Sequence, residues 1–96
     1  MLKLDGFGNV QVHNSTFIAN IGSDGGALEI ESSLLVNITD CFFLYNLASE
    51  SGGAIFASNE VALTISNSQF YYNAASRGGA ISLALSAHLD ISHSIF

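Results

Sequence analysis

The chain repeats itself every 26 or 27 residues, and nothing else in the sequence limits its possible folds so severely. Phe-x-x-Asn recurs at 17–20, 43–46 and 70–73, and the phenylalanine series continues to Phe96, in steps of 26, 27 and 26 residues. Gly-Gly-Ala-Leu/Ile recurs at 25–28, 52–55 and 78–81. A third pattern precedes each phenylalanine: Val10-x-Val12-x-Asn14-Ser15-x-Phe17, then Val36-x-Ile38-x-Asp40-Cys41-x-Phe43. It returns as Leu63-x-Ile65-x-Asn67-Ser68-x-Phe70 and Leu89-x-Ile91-x-His93-Ser94-x-Phe96. A repeat of this length is one supersecondary unit that buries its apolar face only against the next unit.

The single slip in the period has a fixed address. Asparagine to glycine takes five residues in two copies and six in the middle one, where Glu50-Ser51 replaces Asp24 or Arg77. Insertions are tolerated in turns more than in packed strands, so the stretch from asparagine to the glycine pair reads as a surface turn. Leu2 and Leu4 fall in register with Leu28 and Ile30, so the 96 residues read as a single segment of about three and two-thirds coils, a slice of a longer array.

Within a repeat the apolar period is two, as in Leu28-Glu29-Ile30-Glu31 and Val36-Asn37-Ile38-Thr39. That alternation argues for strands. The phase slips at Asp40, at the glycine pair, and at Ser32-Ser33 or Asn59-Glu60, which marks corners. Three short strands and three corners per repeat describe one coil of an all-β, right-handed, single-stranded parallel β-helix. Identical residues then stack about 4.8 Å apart. Phe17, Phe43, Phe70 and Phe96 form an internal column, Ser15, Cys41, Ser68 and Ser94 a column of small residues, and Asn20, Asn46 and Asn73 an amide ladder at a corner. A leucine-rich repeat shares the period but separates leucine from asparagine by two residues, whereas one separates Ile65 from Asn67. Calcium-binding rolls repeat every nine residues.

Composition narrows the function classes. Eight acids against two bases give a net charge of −6, which leaves no basic footprint for nucleic acid. One cysteine excludes an internal disulfide framework. Fourteen serines and eight asparagines solvate a surface that is short of charge. No apolar run approaches the roughly 18 residues of a spanning helix.

The candidate residues divide by face. Stacking sets Asp5 beside Glu31 and Lys3 beside Glu29, an acidic patch two rungs deep that reads as a solvated edge rather than a catalytic or calcium site. A second face carries Gln11, Asn37, Thr64 and Asp90 with His13, Thr39, Ser66 and Ser92, a hydroxyl- and amide-rich ladder. His13, His88 and His93 do not cluster, and His93 takes the corner position of Asn14, Asp40 and Asn67. Cys41 replaces a serine of an internal column and reads as inert packing. Tyr45, Phe56, Tyr71 and Tyr72 are the candidate binding surface, because exposed aromatics stacked along an axis make an adhesive stripe. Asn14 and Asn37 head glycosylation-acceptor patterns, which matter only in a secreted eukaryotic protein. No catalytic residues, cofactor or metal ligands are expected.

The alternation of Gly-Gly-Ala-Leu/Ile with Phe-x-x-Asn resembles the repeats of the chlamydial polymorphic outer-membrane proteins. The resemblance extends over essentially the whole chain. It implies an autotransporter-passenger-like adhesin on the cell surface or outside the cell, associated with the outer membrane in a bacterium. The expectation is therefore a non-catalytic segment that serves as a binding surface for a host or cell-surface protein or glycan, or as a rigid spacer. Self-association through open coil ends is a further expectation. The alternatives are a non-catalytic part of a pectin-lyase-like carbohydrate-active β-helix, and an intracellular repeat scaffold.

Overall fold

A computed structural model describes residues 2–6, 8–32, 34–85 and 87–95, with the backbone alone at Leu34. The described residues are all strand, bridge and turn, and they wind as a parallel β-solenoid. Sheet A stacks β1 (Leu2–Asp5), β5 (Leu28–Glu31), β9 (Ile55–Ser58) and β12 (Ile81–Leu83). Sheet B stacks β2 (Gly8–His13), β6 (Leu34–Thr39), β10 (Ala62–Ser66) and β13 (His88–Ser92). Sheet C holds β3 (Thr16–Ile18), β7 (Phe42–Leu44) and β11 (Gln69–Tyr71). Sheet D pairs β4 (Ile21–Asp24) with β8 (Leu47–Ser51). Every pairing is parallel, and the register is that of the sequence repeat: Leu28 lies on Ile55, Val36 on Leu63 and Phe43 on Phe70.

The coil has four strands where the period of two suggests three. In the first two repeats the stretch from asparagine to the glycine pair is strand, not a free turn, and in the third it continues the pairing through isolated bridges at Ala74 and Arg77. Ile21 pairs with Leu47 and Gly22 with Ala48, and then Asp24 pairs with Ser51, so two residues of β8, Ser49 and Glu50, stand opposite one of β4, Ser23. The extra residue of the middle repeat is thus a β-bulge, which lets a strand absorb an insertion while pairing resumes on both sides.

Between strands the chain turns by putting single residues in the left-handed region. Asn14, Asp40, Asn67 and His93 do so between sheets B and C, with φ of 48°, 55°, 50° and 48°. Ala19, Tyr45 and Tyr72 do so between C and D (φ 55°, 57°, 56°), and Gly25, Gly52 and Gly78 between D and A (φ 72°, 66°, 75°). Ser32, Asn59, Glu60 and Leu85 turn the chain from A to B. Asn, Asp and Gly tolerate this conformation best, which explains the residues at the first and third corners. The second glycine of the first two pairs answers a different need, whereas Gly79 is itself left-handed at φ 52°. A Cβ on Gly26 would meet the carbonyl oxygen of Gly53, and one on Gly53 would lie 2.5 Å from the Ala74 nitrogen.

The core fills the lumen of the coil. Leu28, Ile30, Ile55 and Ala57 enter from sheet A, Val36, Ile38, Leu63 and Ile65 from sheet B, and Phe43 and Phe70 from sheet C, all buried. The Phe43 ring lies between Phe17 and Phe70, at centroid distances of 4.8 and 4.5 Å and tilts of 4° and 2°. Phe96, expected as the fourth ring, lies outside the described residues, as does Ser33.

Polar side chains that point inward are paired. The backbone N–H and Nδ2 of Asn20 donate to Oδ1 of Asn46, and those of Asn46 donate to Oδ1 of Asn73. Nδ2 of Asn46 also donates to the Phe17 carbonyl, and Nδ2 of Asn73 to that of Phe43. Each amide thereby caps a sheet C strand and ties it to its neighbours. In the small-residue column the hydroxyls of Ser15, Ser68 and Ser94 donate to the carbonyls two residues back. The thiol of Cys41 does the same to Thr39, and burial pushes it above the usual thiol range, which disfavours a nucleophilic thiolate.

Candidate functional site

Three of the four aromatic candidates meet on one part of the surface. Tyr45 and Tyr72 are successive left-handed corner residues, 57% and 75% exposed, with their rings stacked at 5.0 Å and a tilt of 9°. They sit at the corner after the strand rather than on it. Tyr71, outward on β11, touches Tyr72 at 6.5 Å and Phe42 at 5.9 Å, tilted 42° and 46°. Phe42 was not among the sequence candidates. Alternation alone locates it, because Phe43 points inward and its predecessor must point out. Phe56 stands apart: it is on β9 of sheet A, between Glu29 and Ser82, partly buried, with no ring contact among the described residues.

Aliphatic residues extend the aromatic surface around the corner. Ile18 is the outward partner of Leu44 on sheet C, and Ile21 pairs with Leu47 on sheet D. Ile18, Ile21 and Leu47 are all exposed, and an open groove of about 350 Å³ runs over Ile21, Leu47 and Ala74. Sheet B presents the opposite character. Gln11, Asn37, Thr64 and Asp90 stack in register, as do His13, Thr39, Ser66 and Ser92. The solenoid therefore has one polar flank, rich in hydroxyls and amides, and one apolar, aromatic flank, with the corner at Asp40 between them.

That corner carries a groove of its own. Asn14, Asp40 and Asn67 are exposed and repeat along the solenoid axis, and Thr16, Phe42 and Gln69 follow two residues later on sheet C. The groove between them has a volume of about 370 Å³. No basic residue lines it.

Four charged residues gather on sheet A. Asp5 pairs with Glu31 and Lys3 with Glu29 in the sheet A register, and the ion pair runs diagonally from Lys3 Nζ to Glu31 Oε2 at 3.8 Å. Burial, reinforced by a hydrogen bond with Glu31, raises the Glu29 carboxyl above the usual carboxylate range. His13 and His88 are on sheet B and His93 is at its corner, so the histidines and this acidic pair occupy different faces. Among the described residues no three His, Cys, Asp or Glu side chains converge on a point that would hold a metal ion. Asn14 is an exposed corner residue, whereas Asn37 is half-buried on sheet B. No helix among the described residues is long and apolar enough to cross a membrane.

No curated protein and no solved structure matches the chain. A family model does match, over the single stretch that holds both tetrapeptides of the middle repeat, Phe43-Leu44-Tyr45-Asn46 and Gly52-Gly53-Ala54-Ile55. Residues 40–58, from the Asp40 corner to the end of β9, match the Chlamydia polymorphic membrane protein repeat, the repeat type that the tetrapeptides resemble.

Proposed function

We propose that this chain is part of the repeat region of a surface protein and works as a non-catalytic binding surface held on a rigid rod. The carrying observation is the aromatic file Tyr45, Tyr72, Tyr71 and Phe42 on the outside of the solenoid, continued by exposed Ile18, Ile21 and Leu47. Contiguous exposed apolar surface is uncommon on soluble monomers and marks interaction sites, and Tyr is enriched among residues that carry binding energy. The family match supports an outer-membrane or cell-surface setting. The non-catalytic reading is supported by the separation of the acidic pair on sheet A from the histidines of sheet B. General acid–base chemistry needs such groups within hydrogen-bond reach of one substrate.

The test is adherence of beads coated with the chain to cultured animal cells, comparing the native chain with a Tyr45→Asn/Tyr72→Asn double variant. Asparagine occupies a left-handed corner readily, so the fold persists and circular dichroism is unchanged. Adherence is expected to fall by about tenfold, the effect of losing one modest anchor. Equal adherence of the two chains refutes the binding reading and leaves the spacer role.

A further inference from the structure

We propose that the groove beside the Asp40 corner binds an uncharged oligosaccharide. This deepens the reading of the chain as a binding surface and rests on it, but the residues are different ones apart from the neighbouring aromatic wall.

The groove is built from one coil position repeated three times. Asn14, Asp40 and Asn67 hold φ values of 48°, 55° and 50°, and the turn leaves their side chains exposed. Two residues on, Thr16, Phe42 and Gln69 lie side by side in the sheet C register. The volume of about 370 Å³ is at the small end of ligand sites. Side chains at successive coils are about 4.8 Å apart along the axis, so the groove offers a file of polar groups rather than a single point.

Those groups have nothing to bond among the described residues. The inward polar residues of the same coils, Ser15, Ser68, Asn20, Asn46 and Asn73, are hydrogen-bonded. The side chains of Asn14, Thr16, Asp40, Asn67 and Gln69 make no hydrogen bond to another described residue. Amides donate and accept at once, and a carboxylate accepts from two hydroxyls together with charge assistance. Adjacent sugar hydroxyls present that pattern. The remaining requirement is an apolar surface for the C–H face of a sugar ring, and Phe42 supplies it, 37% exposed and braced by Tyr71.

Charge and topology decide against other ligands. Asp40 is the only charged residue of the lining, Lys3 is on sheet A and Arg77 follows sheet D. An anionic glycan or a phosphopeptide would meet a carboxylate with no cation to offset it. A peptide that adds a strand needs an open sheet edge. Here the floor is closed: Phe42 N–H donates to the Ser15 carbonyl and Gln69 N–H to the Cys41 carbonyl.

The experiment is nitrogen-15 NMR of the chain, following the side-chain NH2 signals of Asn14, Asn67 and Gln69 during titration with maltotriose, cellotriose and chitotriose. A charged arm uses 3′-sialyllactose, and a third arm uses a Ser/Thr-rich peptide. At least one neutral trisaccharide is expected to shift these signals with millimolar affinity, and the charged sugar and the peptide are not. Phe42→Thr and Asp40→Asn each install a residue type that an adjacent coil already carries at that position, so the fold is kept, as an unmoved Asn46 amide signal would show. Each is expected to weaken binding by about tenfold. Tyr45→Asn/Tyr72→Asn is expected to leave sugar affinity unchanged, so failure of the groove and failure of the tyrosine corner are read separately. The proposal is overturned by no shift with any of the three neutral sugars, by an equal response to the sialylated sugar or the peptide, or by unchanged affinity in Phe42→Thr.

Discussion

Phe43→Ala removes a ring that is stacked on both faces. Phe43 is fully buried, between Phe17 at 4.8 Å and Phe70 at 4.5 Å, with both neighbours nearly parallel to it. The strands above and below are hydrogen-bonded in register, so neither coil can move in to fill the space. A buried Phe→Ala change costs about 3–5 kcal/mol when the site does not collapse. Two aromatic contacts add to that, each worth roughly 0.5–1.5 kcal/mol beyond the area buried. The loss therefore falls at the upper end of the range. For a domain of this size each kcal/mol moves the melting temperature by about 4–8 °C, so a shift of about 15 °C or more is expected. Small domains hold only about 5–15 kcal/mol in total, so Phe43→Leu serves as the milder companion. It keeps most of the volume and loses the stacking, at about 1–3 kcal/mol. Phe56→Ala, half-buried on sheet A, should cost about 1 kcal/mol. Urea midpoints with a common slope measure all three. Equal losses for Phe43→Ala and Phe56→Ala would refute the assignment of inside and outside.

Deleting Glu50 should be nearly neutral, within about 1 kcal/mol, because it converts the bulge of β8 to the spacing of the neighbouring repeats. The check is a urea midpoint against deletion of Ala62 on β10, where a one-residue shift turns every following side chain to the wrong face and the chain should unfold. Glu29→Gln should raise stability at neutral pH. The Glu29 carboxyl is held above 4.5 in the folded chain, so the unfolded chain ionises first and stability is lost as pH rises through the folded value. The gain from glutamine is therefore present at pH 7 and vanishes as the pH falls below 4.5, and a midpoint difference that grows on acidification contradicts it.

How much of this was legible in the sequence depended on whether a residue type recurs in its column. The phenylalanine stack from Phe17 to Phe70, the asparagine ladder and the register of sheets A and B follow directly from repeats of one residue type at one position, and these are present. The fourth strand was not legible. Ile21-Gly22-Ser23-Asp24 is short and rich in turn formers, and its middle counterpart is one residue longer, so it resembles a loop until its partner is known. Phe42 was hidden for the same reason in reverse: its column mates are Thr16 and Gln69, and no repeat marks it. Phe56 was grouped with the tyrosines on exposure and aromaticity, but the coil puts sheet A and sheet C on different sides.

The tyrosine corner is where stability and binding should separate. Tyr45 and Tyr72 hold φ of 57° and 56° at a corner where the first coil has Ala19 (φ 55°), while the corners on either side in their own coils use Asp40 and Gly52, or Asn67 and Gly78. A side chain with a Cβ pays roughly 1–2 kcal/mol in that region, and Asn recovers part of it through local hydrogen bonding. Against this stands the ring contact at 5.0 Å, which for side chains as exposed as these is worth at most about 1 kcal/mol. The two terms favour asparagine slightly. Tyr72→Asn is thus expected to leave the urea midpoint unchanged or to raise it, while lowering adherence. That combination is the usual mark of a residue retained for function at some cost in stability. Strain at an exposed corner is an observation from which a role is inferred, and the inference can fail in one direction only. If Tyr72→Asn destabilises by more than about 1.5 kcal/mol, the rings are structural, their stacking outweighs the backbone term, and the corner loses its standing as a binding surface.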